Sequence, residues 1–202
     1  MKGCCNLRRR VNSLPAAEVS IQTERLRLRK LNQGDAGALF SYRSLPDVYL
    51  YQSFHPAAIS DAAAFISGTA DQLDQPGTWY QLGIFLGDDH ILIGDIGIHF
   101  VNAERGEVEL GFTLAPEFQG KGYATEAVPA VTSHLFSALG KRRITVDVDP
   151  RNFRSRRLAS RLGMVQAGYY AESVRGGNTC EGLIYTLDAD RWPYSSQTAG
   201  PG

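Results

Sequence analysis

The residue order of this chain predicts one α+β domain, built on a mixed, largely antiparallel, twisted sheet flanked by helices. Three observations carry that prediction. The elements read β-α-α-β-β-β-α-β-α-β-β, which mixes hairpins with helical connections instead of alternating strictly. Residues 108–114 and 143–148 read as strands joined by one long helix, and such a crossover sets its two strands parallel and side by side. The other strands follow one another through turn-forming residues such as Gly87, which suits antiparallel pairs.

Taken in order, residues 1–22 show no periodicity and read as a loose leader ahead of a single domain over 23–192. Residues 23–31 alternate Leu26, Leu28 and Leu31 with Arg25, Arg27 and Arg29, the pattern of a half-buried strand. Asn32 to Asp35 start a helix whose stripe (Ala36, Leu39, Phe40, Tyr42, Leu45) runs to Pro46. An aromatic-rich stretch with Tyr49, Tyr51 and Phe54 follows. Ser60 and Asp61 read as the cap of a second helix, which carries Ala64, Phe65, Ile66, Ala70 and Leu73 and stops before Pro76. Residues 79–86 and 91–101 form a hairpin around 87–90, with Gly94 and Gly97 as candidate bulges. After the strand at 108–114 comes a helix with Ala124, Ala127, Val128, Val131, Leu135 and Leu139 on one stripe, closed by Gly140. A strand at 143–148, a short helix at 152–162 capped by Gly163, and an antiparallel pair at 164–174 and 181–187 complete the domain. The residues from 193 onward read as a disordered tail.

Composition narrows the function classes. The chain has 202 residues, 43% of them hydrophobic, and its 21 basic side chains balance its 21 acidic ones. Such neutrality advertises neither nucleic acid nor an anionic membrane as partner. No apolar run approaches the roughly 18 residues of a membrane span. The thiols Cys4, Cys5 and Cys180 have no disulfide or metal-ligand spacing with His55, His90, His99 or His134, so no metal is expected and a reducing cytoplasm suits the chain. An exposed edge strand near the C-terminus is compatible with a homodimer.

The stretch 108–127 organises the rest. Pro116 ends its strand, because proline has no N–H for a ladder. Gln119-Gly120-Lys121-Gly122 then forms a tight loop, and a helix opens at Tyr123. Strand, glycine loop and helix start aim free backbone N–H groups and a helix dipole at an anion. A Walker loop requires Ser or Thr after its lysine, and here Gly122 follows Lys121; a dinucleotide fingerprint requires a third glycine where Thr125 stands. What fits is Gln-x-x-Gly-x-Ala, filled by Gln119, Gly120, Lys121, Gly122, Tyr123 and Ala124. This loop resembles the pyrophosphate loop of the GNAT superfamily of acyl-CoA-dependent N-acyltransferases. With Pro116-Glu117 before it and Thr125-Glu126-Ala127 after it, it looks like the RimJ/RimL branch.

The resemblance implies a GNAT fold over the domain and an acetyl-CoA-dependent N-acetyltransferase. CoA would lie as a strand-like guest along the backbone of Phe112, Thr113 and Leu114, if the two parallel strands splay, with its diphosphate on the amides from Gln119 to Ala124. A glutamate on this strand is often the family's base, which points to Glu109; alternation puts Glu107 on the same face, and the choice between them stays open. The segment Asn152-Phe153-Arg154-Ser155 resembles the family's Asn-x-x-Ser, followed by Leu162-Gly163-Met164 where Phe is usual in place of Met164. In that likeness Asn152 meets the pantetheine arm or fixes the loop, and Ser155 protonates the leaving thiolate. The plain alternative is an N-cap at Asn152, an exposed serine at Ser155 and a surface ion pair at Glu109. Residues 49–56, the helix after Ser60 and the loop at 175–179 are expected to line the amine pocket. The acceptor is open between a protein N-terminal amine and a small molecule (polyamine, amino acid or antibiotic), the donor between acetyl-CoA and a longer acyl-CoA. The rival class is a non-catalytic acyl-CoA-binding module on the same fold.

Overall fold

A computed structural model describes residues 19–87, 91–102, 104–173 and 179–193. Most of the expected leader, the hairpin tip at 88–90, the loop at 174–178 and the tail from 194 lie outside the described residues.

Eight strands form one sheet: β1 (Ser20–Gln22), β2 (Leu26–Lys30), β3 (Trp79–Leu86), β4 (Ile91–Asn102), β5 (Glu107–Leu114), β6 (Arg143–Val148), β7 (Val165–Ser173) and β8 (Thr179–Asp188). The helices are α1 (Ala36–Arg43), α2 (Pro46–Tyr49), α3 (Ile59–Ser67), α4 (Tyr123–Ser137) and α5 (Phe153–Arg161). Strand order is β1-β2-β3-β4-β5-β6-β8-β7. Every pair is antiparallel except β5 with β6, which α4 connects and which run parallel. The α+β architecture and the parallel pair are as the sequence predicts.

Four details differ. Ser20–Gln22, assigned to the leader, is a strand on β2, with Ile21 opposite Leu28. Pro46–Tyr49 forms an extra short helix, since proline suits a first helical turn. The cap of α3 is Ala58, and Asp61 reaches back from the first turn to accept from the amides of Ala57 and Ala58 at 2.9 and 3.0 Å. That helix stops at Ser67, well short of Leu73. There the Gly68 amide closes on Ala64, the Thr69 hydroxyl takes the Ile66 carbonyl at 2.8 Å, and the Ala70 amide turns away to the Trp79 carbonyl at 2.8 Å.

Over β2 to β5 helices pack on both faces of the sheet. On one, α4 packs Val128, Val131 and Leu135 against Leu82, Ile84, Ile96, Ile98, Val108 and Leu110. On the other, α1 and α3 pack Leu39, Tyr42 and Ile66 against Leu31, Phe85 and Leu92. Side chains alternate along a strand, so the residues between the α4-facing ones look toward α1 and α3: Trp79 and Gln81 on β3, Asp95, Gly97 and His99 on β4, Glu109, Gly111 and Thr113 on β5. This second face carries the polar groups. Gly94 does sit at a bulge, where the β3–β4 register shifts and a Cβ would lie 2.3 Å from the Thr113 carbonyl. Gly97 is regularly paired with Gln81 and Gly111 and marks no bulge.

Candidate active site

The anion loop follows from backbone torsions. After β5, a single turn at Pro116–Phe118 leads to Gly120 with φ +75° and Gly122 with φ +85°, and α4 starts at Tyr123. Both torsions lie in the left-handed region where L side chains are strained. A Cβ on Gly120 would meet nothing within 4 Å, so glycine is required there by torsion and not by crowding. Gly122 is the helix cap and has no side chain to satisfy the first amides of α4, which leaves them for an external acceptor. Of the expected diphosphate residues, Lys121 is exposed, its ammonium 5.6 Å from the centre of the Phe118 ring. Gln119 acts as a crossbar: its amide donates to the Leu114 carbonyl at 2.9 Å, and its oxygen accepts from Arg154.

The two parallel strands separate. They pair at Glu107 with Arg143, Val108 with Ile144 and Glu109 with Thr145, and no further. Beyond Glu109, β5 pairs only with β4 and β6 only with β8. A wedge therefore opens between the C-terminal halves of β5 and β6, bordered by Phe112, Thr113 and Leu114. The anion loop follows β5 at its mouth, and α5 follows β6. The residues present fit an extended pantetheine with a diphosphate beyond it: free backbone groups line the wedge, and an uncapped helix start lies at its end. The Thr113 side chain itself is buried, and among the described residues its hydroxyl has no hydrogen-bond partner.

Glu109 occupies the last paired position before the wedge; Glu107 lies two residues deeper, where the strands are still joined. Register sets Glu109 beside His99, and His99 beside Trp79. The His99 ring stacks on the indole at 4.7 Å with 9° between planes, and its Nδ1 lies 3.4 Å from the Glu109 carboxylate. In the next row Gln81 pairs with Gly97, and Gly97 with Gly111. A Cβ on Gly97 would come 3.1 Å from the Trp79 ring, whereas one on Gly111 would meet nothing within 4 Å. Space over the sheet is thus open directly beside the Glu109 carboxylate.

A row further, Asp95 is fully buried. Its carboxylate accepts from the Tyr42 hydroxyl at 2.5 Å, from the Arg43 guanidinium and from the Gln81 amide. Burial, followed by the Asp95 charge, pushes the Tyr42 hydroxyl well above its ordinary pKa. Sequence reasoning missed this network and His99. One signal existed for the network: a lone carboxylate inside the apolar run of β4 requires buried partners.

On the β6 side, Asn152 caps α5, its side-chain oxygen accepting from the Ser155 amide at 3.1 Å. Ser155 is half-buried, and among the described residues its hydroxyl makes no hydrogen bond. Two arginines of α5 have protein partners: Arg154 on Gln119, and Arg156 on the Pro150 carbonyl at 3.1 Å. Close to the end of β6 lies a cleft of about 440 Å³ lined by Asp149, Arg151, Cys180 and Glu181. Hydrogen bonds from Arg151 hold the Asp149 carboxyl below the ordinary carboxylate range. The Arg151 guanidinium also lies 5.8 Å from the Tyr51 ring centre, which brings the expected aromatic segment to this side of the wedge. Among the described residues no group of His, Cys, Asp or Glu could hold a metal ion, and no helix is long and apolar enough to cross a membrane.

Known proteins are similar in sequence and fold. The family model for the acetyltransferase (GNAT) domain matches residues 25–165. The chain belongs to the GNAT acetyltransferase family. A Bacillus subtilis relative, the uncharacterized N-acetyltransferase YoaA, is 32% identical over 168 residues, covering 83% of this chain and 95% of that protein. The [ribosomal protein uS5]-alanine N-acetyltransferase of Escherichia coli is 27% identical over 161 residues, covering 75% of this chain and 81% of that enzyme. Among solved structures, a GNAT-family acetyltransferase from Bacillus anthracis superimposes with a TM-score of 0.75 at 26% identity, over 85% of this chain and 99% of that one. The resemblance to the RimJ/RimL branch holds, and this GNAT protein is an acyltransferase enzyme rather than a non-catalytic binding module.

Proposed function

We propose that this enzyme transfers an acetyl group from acetyl-CoA to a primary amine by direct attack within a ternary complex. The observation that carries the reading is the wedge that opens immediately past Glu109, with uncapped amides at its mouth. Amides from Gln119 to Ala124 hold the diphosphate, and the backbone of Phe112, Thr113 and Leu114 aligns the pantetheine. The thioester supplies an activated acyl group. Glu109, directly or through water, takes the proton from the incoming ammonium, because only the neutral amine can attack. A backbone N–H bordering the wedge polarises the carbonyl. As the C–N bond forms and the C–S bond breaks, the Ser155 hydroxyl donates its proton to the leaving thiolate and regains one from the proton that the nitrogen sheds in becoming an amide. Asn152 holds the start of α5 so that Ser155 faces this point.

The acceptor we favour is a protein N-terminal amine. The open floor over Gly111 suits an extended chain end, and the E. coli relative is named a [ribosomal protein uS5]-alanine N-acetyltransferase. Release of free CoA should be followed with a peptide bearing N-terminal alanine and, separately, with spermidine. Turnover of the peptide alone supports the reading, and turnover of spermidine alone replaces it with a polyamine enzyme. With the better amine, Glu109→Gln should lower kcat about 100-fold. Ser155→Ala should lower it about tenfold, and neither should alter the acetyl-CoA KM. Wild-type rates in both variants would remove these assignments while leaving the family intact. The exposed β7 edge, with Val165 and Tyr169 in solvent, supports a homodimer, which light scattering in solution would test.

A further inference from the structure

We infer that Arg25, in the turn between β1 and β2, is a positioning residue for the diphosphate loop; the inference rests on the acyl-CoA reading above. Arg25 is about a hundred residues away from that loop in sequence, yet its guanidinium lies against it. One nitrogen, Nη1, donates to the Lys121 carbonyl at 3.1 Å. Its Nε and Nη2 both reach Glu126 Oε2 at 2.7 Å, and its backbone amide donates to Glu126 Oε1 at 2.8 Å. The plane lies over Tyr123, 4.6 Å from the ring centre. A Cβ on Gly122 would come 3.3 Å from Nη2, so a side chain there would crowd the guanidinium.

Two consequences follow for an anion at this loop. First, Lys121 stands between two residues of positive φ, so its peptide group sets the direction in which the neighbouring amides point. A carbonyl turned toward a diphosphate would repel it; held by Arg25, the Lys121 carbonyl is committed elsewhere. Second, Glu126 lies in the first turn of α4, where its negative charge opposes the attraction of the helix start for an anion. Burial raises the Glu126 pKa, but hydrogen bonds from Thr23 and Arg25 outweigh it and hold the carboxyl below its ordinary range. The carboxylate is therefore charged, and the guanidinium cancels that charge at contact distance. Arg25 thus keeps the mouth of the wedge receptive to an anion while 43% of its side chain stays in solvent.

The test is binding, so it needs no knowledge of the acceptor. CoA and pantetheine, which lacks the diphosphate and nucleotide, would be titrated into full-length protein and followed by two-dimensional NMR. Arg25→Ala should weaken CoA about tenfold and leave pantetheine unchanged. Arg25→Lys keeps the charge but cannot span Glu126 and the Lys121 carbonyl together, so its CoA affinity should fall between the two; it also serves if the alanine variant does not fold. Equal CoA affinity in wild type and the folded variants overturns the inference alone. So does an equal loss of CoA and pantetheine, which would mark general distortion of the cleft. Wild type that binds neither molecule overturns the acyl-CoA reading, and the inference with it.

Discussion

The two halves of the site are built on different principles. The half proposed to hold CoA is a continuous run, β5 to α4, whose shape follows from a proline, two glycines at positive φ and a helical stripe. The half proposed to face the acceptor is assembled by register: Trp79, His99 and Glu109 come from three strands, and the Asp95 network adds α1. A local run states its geometry in its own residues. A row across a sheet exists only once every strand has found its partner, so no segment announces it. The halves meet at Glu109, the last residue at which β5 and β6 are joined.

That contrast predicts separable failures. The largest belongs to the assembled half. Asp95→Ala leaves the Arg43 guanidinium buried without its counter-charge, and breaking such a pair costs about 3–5 kcal/mol. Thermal unfolding should show a drop of that size. An unchanged melting temperature would mean that the network is not a unit of the fold. Asp95→Asn should lose less, since the amide retains an oxygen to accept from Arg43.

Next comes the local half. Gly120→Val places a β-branched residue at a positive φ with space to spare around it, so torsion is the only penalty, about 1–3 kcal/mol. The loop should respond by rotating its peptides. CoA affinity should fall about tenfold while the rest of the sheet keeps its hydrogen-exchange protection. Full CoA affinity in this variant would show that loop conformation does not matter. The smallest effect is expected at His99. His99→Phe keeps the stack on Trp79 and removes the nitrogen facing Glu109, so kcat should fall a few-fold with the acetyl-CoA KM untouched. His99→Asn, which can donate to Glu109 again, should recover part of it. A change in KM instead would tie His99 to the CoA half and blur the division.

How much was legible in the sequence follows the same line. The strand–loop–helix unit, the parallel pair and the α5 cap could be read because neighbours in the chain determine them. The limits of α3 could not: Ser60 and Asp61 have the chemistry of a cap, but the chain enters the helix earlier, and its end depends on Ala70 finding the Trp79 carbonyl. Ser20–Gln22 carries too few residues to show a period and becomes a strand only against β2. His99 looked like any histidine until register set it beside Glu109. Arg25 and Arg27 are indistinguishable in the alternating strand, yet only Arg25 reaches the loop at Lys121. The two glycines at 97 and 111 carried no signal separately; they face each other across β4 and β5, with Trp79 and Gln81 over Gly97 and open space over Gly111.

The most direct measurement is a crystal structure of the protein grown with CoA. The two bridged phosphates should rest on the amides between Gly120 and Ala124, and the pantetheine should run between β5 and β6 with its sulfur toward Ser155. A cofactor bound at any other surface, with the strands beyond Glu109 closed or empty, would contradict the account.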